Sequence, residues 1–113
     1  MEEILLVMCA WPEQELNERI VRQILSEGLA ACVQILPAMR SFFPWEGRME
    51  SASEHLMLCK TLASRYTSLE QRLRDLHPYE VPEILAVPVR YVHEAYGLWL
   101  AQVLEEGGPS LAN

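Results

Sequence analysis

The sequence has few basic residues, and they form no cluster. Asp and Glu outnumber Lys and Arg by 16 to 9, which gives a net charge of −7 at pH 7. Nucleic acids and anionic membranes are bound through clusters of Lys and Arg that replace counterions on phosphates. The densest positive stretch, residues 65–74, is interrupted by Glu70 and followed by Asp75. We therefore exclude nucleic acid and membrane surfaces as partners.

Targeting signals and a disulfide framework are also lacking. The apolar run at residues 4–10 follows two glutamates, whereas a secretory signal begins with positive charge and a membrane helix needs about 20 apolar residues. The cysteines are odd in number and form no CxxC pair, which is untypical of a disulfide scaffold or a zinc ribbon. They are Cys9, Cys32 and Cys59. These features predict a cytoplasmic protein with reduced thiols.

The signature motifs of catalysis and nucleotide binding are missing as well. No GxSxG is present, and the cysteines lie within strand-like apolar runs rather than at the turns or helix starts where activated nucleophiles occur. The five glycines form no GxGxxG or GxxxxGK phosphate loop. We predict no enzymatic activity. The open enzymatic alternative is an acid–base pair formed by His77 and Glu83.

What the sequence does contain is enough apolar residues for one core. The chain has 113 residues, of which 50% are hydrophobic. A chain of this length buries roughly two-thirds of its unfolded surface without disulfides or a structural metal. We predict one domain over residues 1–106 and a flexible tail over residues 107–113, which begins Gly-Gly-Pro.

The first half of the chain predicts a strand, a helix and a long hairpin. Residues 4–9 are a buried strand that Trp11-Pro12 ends, with Pro12 as the first residue of a helix that Gly28 terminates. Residues 29–43 and 48–62 are the paired strands, joined by the turn at residues 44–47. Pro37 predicts a bend or an exposed edge in the first of them. The hairpin is polar near its tip, which favours projection beyond the domain and pairing with another chain.

The second half predicts a helix, a strand and a further helix. Thr67 and Glu70 have capping-box spacing, and His77-Pro78 ends the helix that they begin. Residues 84–92 are the last strand, and a third helix follows at residues 96–104. The order β, α, β, β, α, β, α predicts an α+β, ferredoxin-like βαββαβ sandwich with an extra C-terminal helix.

Metal binding is the chemistry that the residue types favour. Cys9 ends the first strand, His77 ends the second helix, and Glu83 precedes the last strand. Thiolate suits Cu(I), and imidazole suits Cu(II) and zinc. We predict that these three residues bind copper or another divalent cation, within a subunit or across an interface. The alternative is that Cys9 is a core residue and His77 bonds a helix-terminal carbonyl.

Several aromatic residues are better explained by an interface than by a core. Trp45 lies on a turn between polar residues, and oligomer interfaces are enriched in such aromatic anchors. Tyr79, Tyr96 and Trp99 are assigned to the same role.

Lys60 and Glu54 are charged residues on a strand whose second half is apolar. A lysine flanked by apolar residues either emerges at an edge or has a partner, for which Glu54 and Glu83 are the candidates. We place Lys60 and Glu54 in an inter-subunit cleft or interface. The alternative is a lysine that extends from the strand end into solvent.

Several segments together carry a family resemblance over residues 4–104. They are Leu29-Ala30-Ala31-Cys32-Val33 with Ile35 and Pro37; Ser41; Trp45-Glu46-Gly47; Glu54, Leu58 and Lys60; His77-Pro78-Tyr79-Glu80-Val81-Pro82-Glu83-Ile84; Pro88; and Tyr96 with Trp99. This pattern resembles the CutA family of divalent-cation-tolerance proteins. The resemblance implies a ferredoxin-like fold, a homotrimer in which the long hairpins extend neighbouring sheets, and a cytoplasmic location in bacteria.

The resemblance also implies a link to copper and other divalent cations, and no catalytic reaction. Similar bacterial proteins have a proposed copper site made of a Cys at the end of the first strand and two consecutive His before Pro-Tyr. Cys9 and His77 match two of these positions, whereas Leu76 replaces the first His. The predicted function is divalent-metal binding in metal homeostasis. The alternative is a signalling trimer similar to the PII family, which binds a small effector in clefts between subunits.

Overall fold

A computed structural model describes residues 2–16 and 18–106 of the chain. Within these residues four strands and three α-helices follow in the predicted order, with one 3-10 turn before the second helix. The bounds are β1 Ile4–Pro12, α1 Glu18–Ser26, β2 Cys32–Trp45, β3 Arg48–Leu62, the 3-10 turn Ala63–Arg65, α2 Tyr66–Leu76, β4 Ile84–Val89 and α3 Glu94–Glu105. The predicted tail at residues 107–113 lies outside the described residues.

The four strands form one antiparallel sheet in the order β2-β3-β1-β4. β1 is central, because Ile4 is paired with Leu62 of β3 on one side and with Val89 of β4 on the other. Successive side chains of a strand point to opposite faces, so every second residue of β1 belongs to the same layer. The α+β class with a four-stranded antiparallel sheet is thereby confirmed.

One face of the sheet is covered by α1 and α2 and contains the main core. Val7, Cys9 and Trp11 of β1 pack there with Ile24 of α1 and Leu73 of α2. All five side chains are buried. The helical spacing of apolar residues in the sequence therefore identifies the covering faces of both helices correctly.

α3 packs on the opposite face of the sheet, at one end. Leu100 and Leu104 of α3 are buried against Ile4 and Leu62. Arg65 strengthens this end, because its guanidinium donates to the carbonyl oxygens of Gly28, after α1, and Leu104, in α3. The third helix thus covers part of its own subunit.

The rest of this second face is largely apolar, and no other described helix or strand covers it. Leu6 and Met8 of β1 are half-buried, and they are paired with Val87 and Leu85 of β4, which are exposed. Leu58 of β3, opposite Met8, is half-buried on the same face. A sheet face of this kind is normally covered by another layer.

The β2–β3 hairpin extends beyond the rest of the sheet. β1 accompanies β3 only as far as Pro12, opposite Glu54, so residues 40–53 pair across the hairpin alone. Glu46 and Gly47 form the two-residue turn with φ of 49° and 78°, the left-handed values that tight hairpin turns require. Trp45, next to the turn, is 61% exposed. The predicted projecting hairpin is confirmed, and Pro37 lies on the edge strand at a register shift between Leu36 and Met39.

The prediction that Trp11-Pro12 breaks the first strand is wrong. Both residues belong to β1, and α1 begins only at Glu18. Trp11 is fully buried, and its side chain packs with those of α1 and α2. This packing continues β1 beyond the apolar run at residues 4–10. Pro12 is tolerated because it is the last residue of the strand, beyond the register shared with β4.

The predicted capping box is not formed. α2 begins at Tyr66 after the 3-10 turn, so Thr67 is already inside the helix, and no side chain caps it. Glu70 accepts a hydrogen bond from the Tyr66 hydroxyl at 3.0 Å instead. The predicted end of α2 at His77-Pro78 is confirmed, whereas β2 begins later and β4 ends earlier than predicted, at Cys32 and Val89.

Candidate functional site

A cleft of about 850 Å³ lies between the root of the hairpin and the segment that joins α2 to β4. Pro78 cannot continue α2, so the chain leaves the helix and crosses the end of the sheet at residues 78–83. Ala10 of β1 and Glu54 of β3 form part of the wall where the hairpin begins to project. The cleft therefore exists because the hairpin is longer than β1.

Glu54 is the buried charge of this cleft. It is 6% exposed, and its Oε2 accepts a hydrogen bond from the Tyr79 hydroxyl at 2.9 Å. Burial raises the pKa of Tyr79 to about 12, and the hydrogen bond and negative charge of Glu54 act in the same direction. Tyr79 is thus held as a neutral hydrogen-bond donor.

His77 is buried beside the cleft, and both of its ring nitrogens have backbone partners. Nε2 lies 2.7 Å from the carbonyl oxygen of Ala10, and Nδ1 lies 3.1 Å from the backbone nitrogen of Tyr79. A backbone N–H can only donate, so Nδ1 accepts and Nε2 carries the proton. The ring also stacks on Trp11, with centroids 4.3 Å apart. Burial lowers the pKa of His77, against the opposing effects of Ala10 and Glu54.

The predicted metal ligands gather at one end of the sheet, but both ring nitrogens of His77 have partners and the Cys9 thiol is buried. Cys9 is paired with Ile84, the residue after Glu83, and it immediately precedes Ala10, the partner of His77. Burial of the Cys9 thiol, together with the nearby Cys59, Glu83 and Glu54, raises its pKa to about 12. Within residues 2–16 and 18–106 no three His, Cys, Asp or Glu residues are arranged to hold a metal ion. A site completed by another subunit stays a prediction.

The six predicted interface residues fall into two separate groups. Trp45, Glu54 and Tyr79 line the cleft. Lys60 and the two α3 aromatics form the second group, because the Lys60 ammonium lies 5.6 Å from the ring centroid of Tyr96, which in turn contacts Trp99. Lys60 lies six positions after Glu54 along β3, which corresponds to a distance of about 20 Å. No ion pair among the described residues joins Lys60 to Glu54 or Glu83.

Two acidic residues of the cleft were missed by the sequence analysis. Glu50 reaches it from the hairpin and Glu80 from the segment after α2. Glu80 has a sequence signal, because it and Glu83 are two carboxylates three positions apart in a short segment. Pro82 lies between them and prevents the segment from forming a helix. Glu50 has none, since a carboxylate on a polar hairpin resembles an ordinary solvated residue.

Comparison with known proteins decides the family. The family model described as "CutA1 divalent ion tolerance protein" matches residues 5–103, nearly the whole chain. The chain belongs to the CutA1 family. Its cleft-lining segment at residues 78–83 and its hairpin both lie inside the matched region.

Named CutA1 relatives have similar levels of identity across distant organisms. The divalent-cation tolerance protein CutA of Thermus thermophilus is 37% identical over 102 residues, which are 90% of this chain and 97% of that protein. Human protein CutA is 37% identical over 100 residues, or 88% of this chain. The chain spans about half the length of the mouse and human relatives, 53% and 56%.

Solved CutA1 structures have the same fold. CutA from Xylella fastidiosa is 35% identical, with a TM-score of 0.85 over 89% of this chain and 97% of that one. CutA1 from Oryza sativa is 31% identical, with a TM-score of 0.85 over 96% of both chains. Among the residues that the structure describes, no helix has the length and apolar character needed to cross a membrane.

The buried His77 predicts that this protein loses stability in mild acid. The pKa of His77 is lowered in the folded protein, whereas in the unfolded chain it is about 6.5. Its contribution to the free energy of unfolding is therefore complete above that pH and is lost progressively as the pH falls below it, because only the unfolded state takes up the proton.

The measurement is urea unfolding between pH 8 and pH 5. His77→Gln should flatten the pH dependence over this range, whereas His93→Gln, which changes an exposed histidine before α3, should leave it as in the native chain. An equally steep loss of stability in the His77→Gln variant would contradict the assignment.

Proposed function

We propose that this chain is a homotrimeric, non-catalytic protein of divalent-cation tolerance that binds copper or another divalent cation in metal homeostasis. Membership of the CutA1 family carries the proposal, since its named members are divalent-cation tolerance proteins. We also propose a cytoplasmic location, on the ground of the reduced cysteines, although the solved CutA of Archaeoglobus fulgidus is named periplasmic.

The trimer and the ferredoxin-like arrangement are supported by the sheet. The antiparallel order β2-β3-β1-β4 with two helices on one face is compatible with the βαββαβ sandwich. The second face presents Leu85 and Val87 to solvent, and the hairpin presents Trp45. Exposed apolar surface of this extent favours burial against other copies of the chain.

The proposed metal ligands are Cys9, His77 and Glu83. A thiol, an imidazole and a carboxylate are donor types that suit copper or zinc. In the described subunit, however, the fit is incomplete, because a metal would displace one of the two backbone hydrogen bonds of His77 and the proton of a buried thiol. We therefore place the completed site in the assembled trimer, where a neighbouring subunit contributes to it.

The test is calorimetric titration of Cu(I) into the assembled protein under reducing conditions. We expect Cys9→Ser to weaken Cu(I) binding at least about tenfold, as loss of a ligand or its support does. Cys32→Ser is the matched control, since Cys32 is a half-buried thiol on β2 and is expected to leave the affinity unchanged. His77→Ala and titrations with Cu(II) and Zn(II) complete the series. Equal Cu(I) affinity in the native chain and Cys9→Ser would refute this site.

The two alternatives from the sequence are not favoured. A PII-like signalling trimer would use a long loop to grip its effector, but the hairpin ends in the two-residue turn at Glu46 and Gly47. An acid–base pair requires a free imidazole nitrogen, and both nitrogens of His77 have backbone partners.

A further inference from the structure

Met57 of β3 lies directly opposite Cys9 of β1 in the sheet. Directly opposed residues of antiparallel strands point to the same face, and their Cβ atoms are about 4.5 to 5.5 Å apart. Both side chains belong to the core between the sheet and its two covering helices, where Met57 is fully buried and Cys9 is 1% exposed. A thiol and a thioether are therefore neighbours in a place that excludes water.

The indole of Trp11 is an independent sign that this pair binds a ligand. Trp11 lies two residues after Cys9 on the same face of β1 and is fully buried. Its Nε1 has no hydrogen-bond partner among residues 2–16 and 18–106, although buried N–H groups normally have one.

The Trp11 N–H is directed at the Cys9 sulfur. Burial is the main cause of the raised pKa of the Cys9 thiol, and the indole N–H acts in the opposite direction. A neutral thiol is a weak hydrogen-bond acceptor, whereas a thiolate is a strong one. The orphaned N–H is thus placed to stabilise Cys9 in the deprotonated form in which it binds a metal.

The charge of the core favours a monovalent soft cation at this pair. Metal binding replaces the S–H bond of Cys9 by a bond from sulfur to the metal, and one proton leaves for the solvent. With Cu(I) the net charge of the core does not change, whereas Cu(II) or Zn(II) adds a positive charge to apolar surroundings, which is costly. Thiolate and thioether are also the donors that select Cu(I), whereas zinc usually has four ligands.

Cys59 is the other thiol of this core, but its position differs. It is paired with Val7, two residues before Cys9 along β1. Thiols, imidazoles and carboxylates by themselves form no three-ligand site in the part of the chain that the structure describes. The Met57 thioether gives Cys9 a second soft donor from within the subunit, without a second buried negative charge.

We propose that Met57 binds copper together with Cys9, that the bound ion is Cu(I), and that the Trp11 N–H donates to the Cys9 sulfur. This inference rests on the proposed copper binding at Cys9 and adds a ligand and an oxidation state to it. His77 is adjacent, because its ring stacks on Trp11 and its Nε2 bonds the carbonyl oxygen of Ala10. Trp11 is a positioning residue, since it acts on the metal only through Cys9.

The test is the Cu(I) affinity of the assembled protein, measured by competition with a coloured Cu(I) chelator under reducing conditions. Met57→Leu removes the sulfur and keeps an apolar side chain of similar volume, so the core stays packed. We expect it to weaken Cu(I) binding at least about tenfold. Met8→Leu is the matched control, because Met8 precedes Cys9 but points to the opposite face of the sheet, and we expect an unchanged affinity.

X-ray absorption at the selenium edge distinguishes a ligand from a packing residue. In protein labelled with selenomethionine, a copper–selenium contact forms only if a methionine side chain binds the metal. We expect this contact in the native chain and in Met8→Leu, and we expect none in Met57→Leu. A native chain without the contact, or equal Cu(I) affinity in Met57→Leu and the native chain, would overturn the proposal.

Trp11→Phe keeps an aromatic ring in the core and removes the N–H. We expect Cu(I) binding about threefold to tenfold weaker with the copper–selenium contact retained, because the lost hydrogen bond acts through the Cys9 sulfur. Unchanged affinity in Trp11→Phe would refute the role of Trp11.

The Cys9→Ser variant separates failure of this inference from failure of the proposed function. Unchanged Cu(I) affinity in Cys9→Ser refutes the proposed copper site itself. Weakened binding in Cys9→Ser but not in Met57→Leu refutes the assignment of Met57 alone.

Discussion

Replacing Trp11 by alanine is expected to lower the free energy of unfolding by about 3 to 5 kcal/mol, the usual loss for a large aromatic side chain of the core. Trp11 is fully buried between the sheet and its two covering helices, and its ring stacks on His77. Alanine would leave a cavity that the surrounding strand and helices cannot close. Urea unfolding followed by circular dichroism measures this loss.

Trp45→Ala is the matched control for Trp11→Ala. Trp45 is 61% exposed, so its loss removes little packing within the subunit. We expect Trp45→Ala to change apparent stability only through assembly, and hence by an amount that varies with protein concentration. The loss in Trp11→Ala should be the same at every concentration. Unfolding of Trp11→Ala at the denaturant midpoint of the native chain would show that Trp11 is not a core residue.

Placing a charge on the uncovered sheet face is expected to break the proposed trimer. Leu85 is 54% exposed on β4, among the apolar residues of that face. Leu85→Glu would bury an unpaired carboxylate in the interface, which costs about 2 kcal/mol or more at each subunit contact. Light scattering after gel filtration should report a trimer for the native chain and monomers for this variant at micromolar concentration.

Leu98→Glu tests whether the position of the charge matters. Leu98 is 56% exposed on α3, so it matches Leu85 in residue type and exposure. We expect this variant to stay trimeric. A native chain that is monomeric at micromolar concentration, or a trimer that survives Leu85→Glu, would remove the support that the uncovered face gives to the assembly.

Much of the fold was predictable because its signals are local. The order of elements follows from helical spacing in α1 and from the apolar runs of the strands, and the end of α2 follows from His77-Pro78. The hairpin tip follows from the Gly47 turn. Each signal depends on a few neighbouring residues, whose backbone preferences act whatever the rest of the chain does.

The candidate site was predictable only in part. The sequence identified Glu54, His77, Tyr79 and Glu83 as notable residues. It named Glu54 as a candidate partner of Lys60, whose ammonium lies over the ring of Tyr96 instead. Whether a histidine is free or bonded depends on which carbonyl the fold brings to it. Ala10, which accepts from His77, is 67 residues away along the chain.

By itself the sequence determined the class of fold, the projecting hairpin and the family, because all three depend on short patterns that are present in the primary structure. The tertiary structure decided that Trp11 continues β1 into the core, that backbone groups bind both nitrogens of His77, and that Glu54 is buried with no ion-pair partner among residues 2–16 and 18–106. These features arise from contacts between residues far apart in the chain. Such contacts exist only once the sheet, the helices and the segment after α2 have packed together.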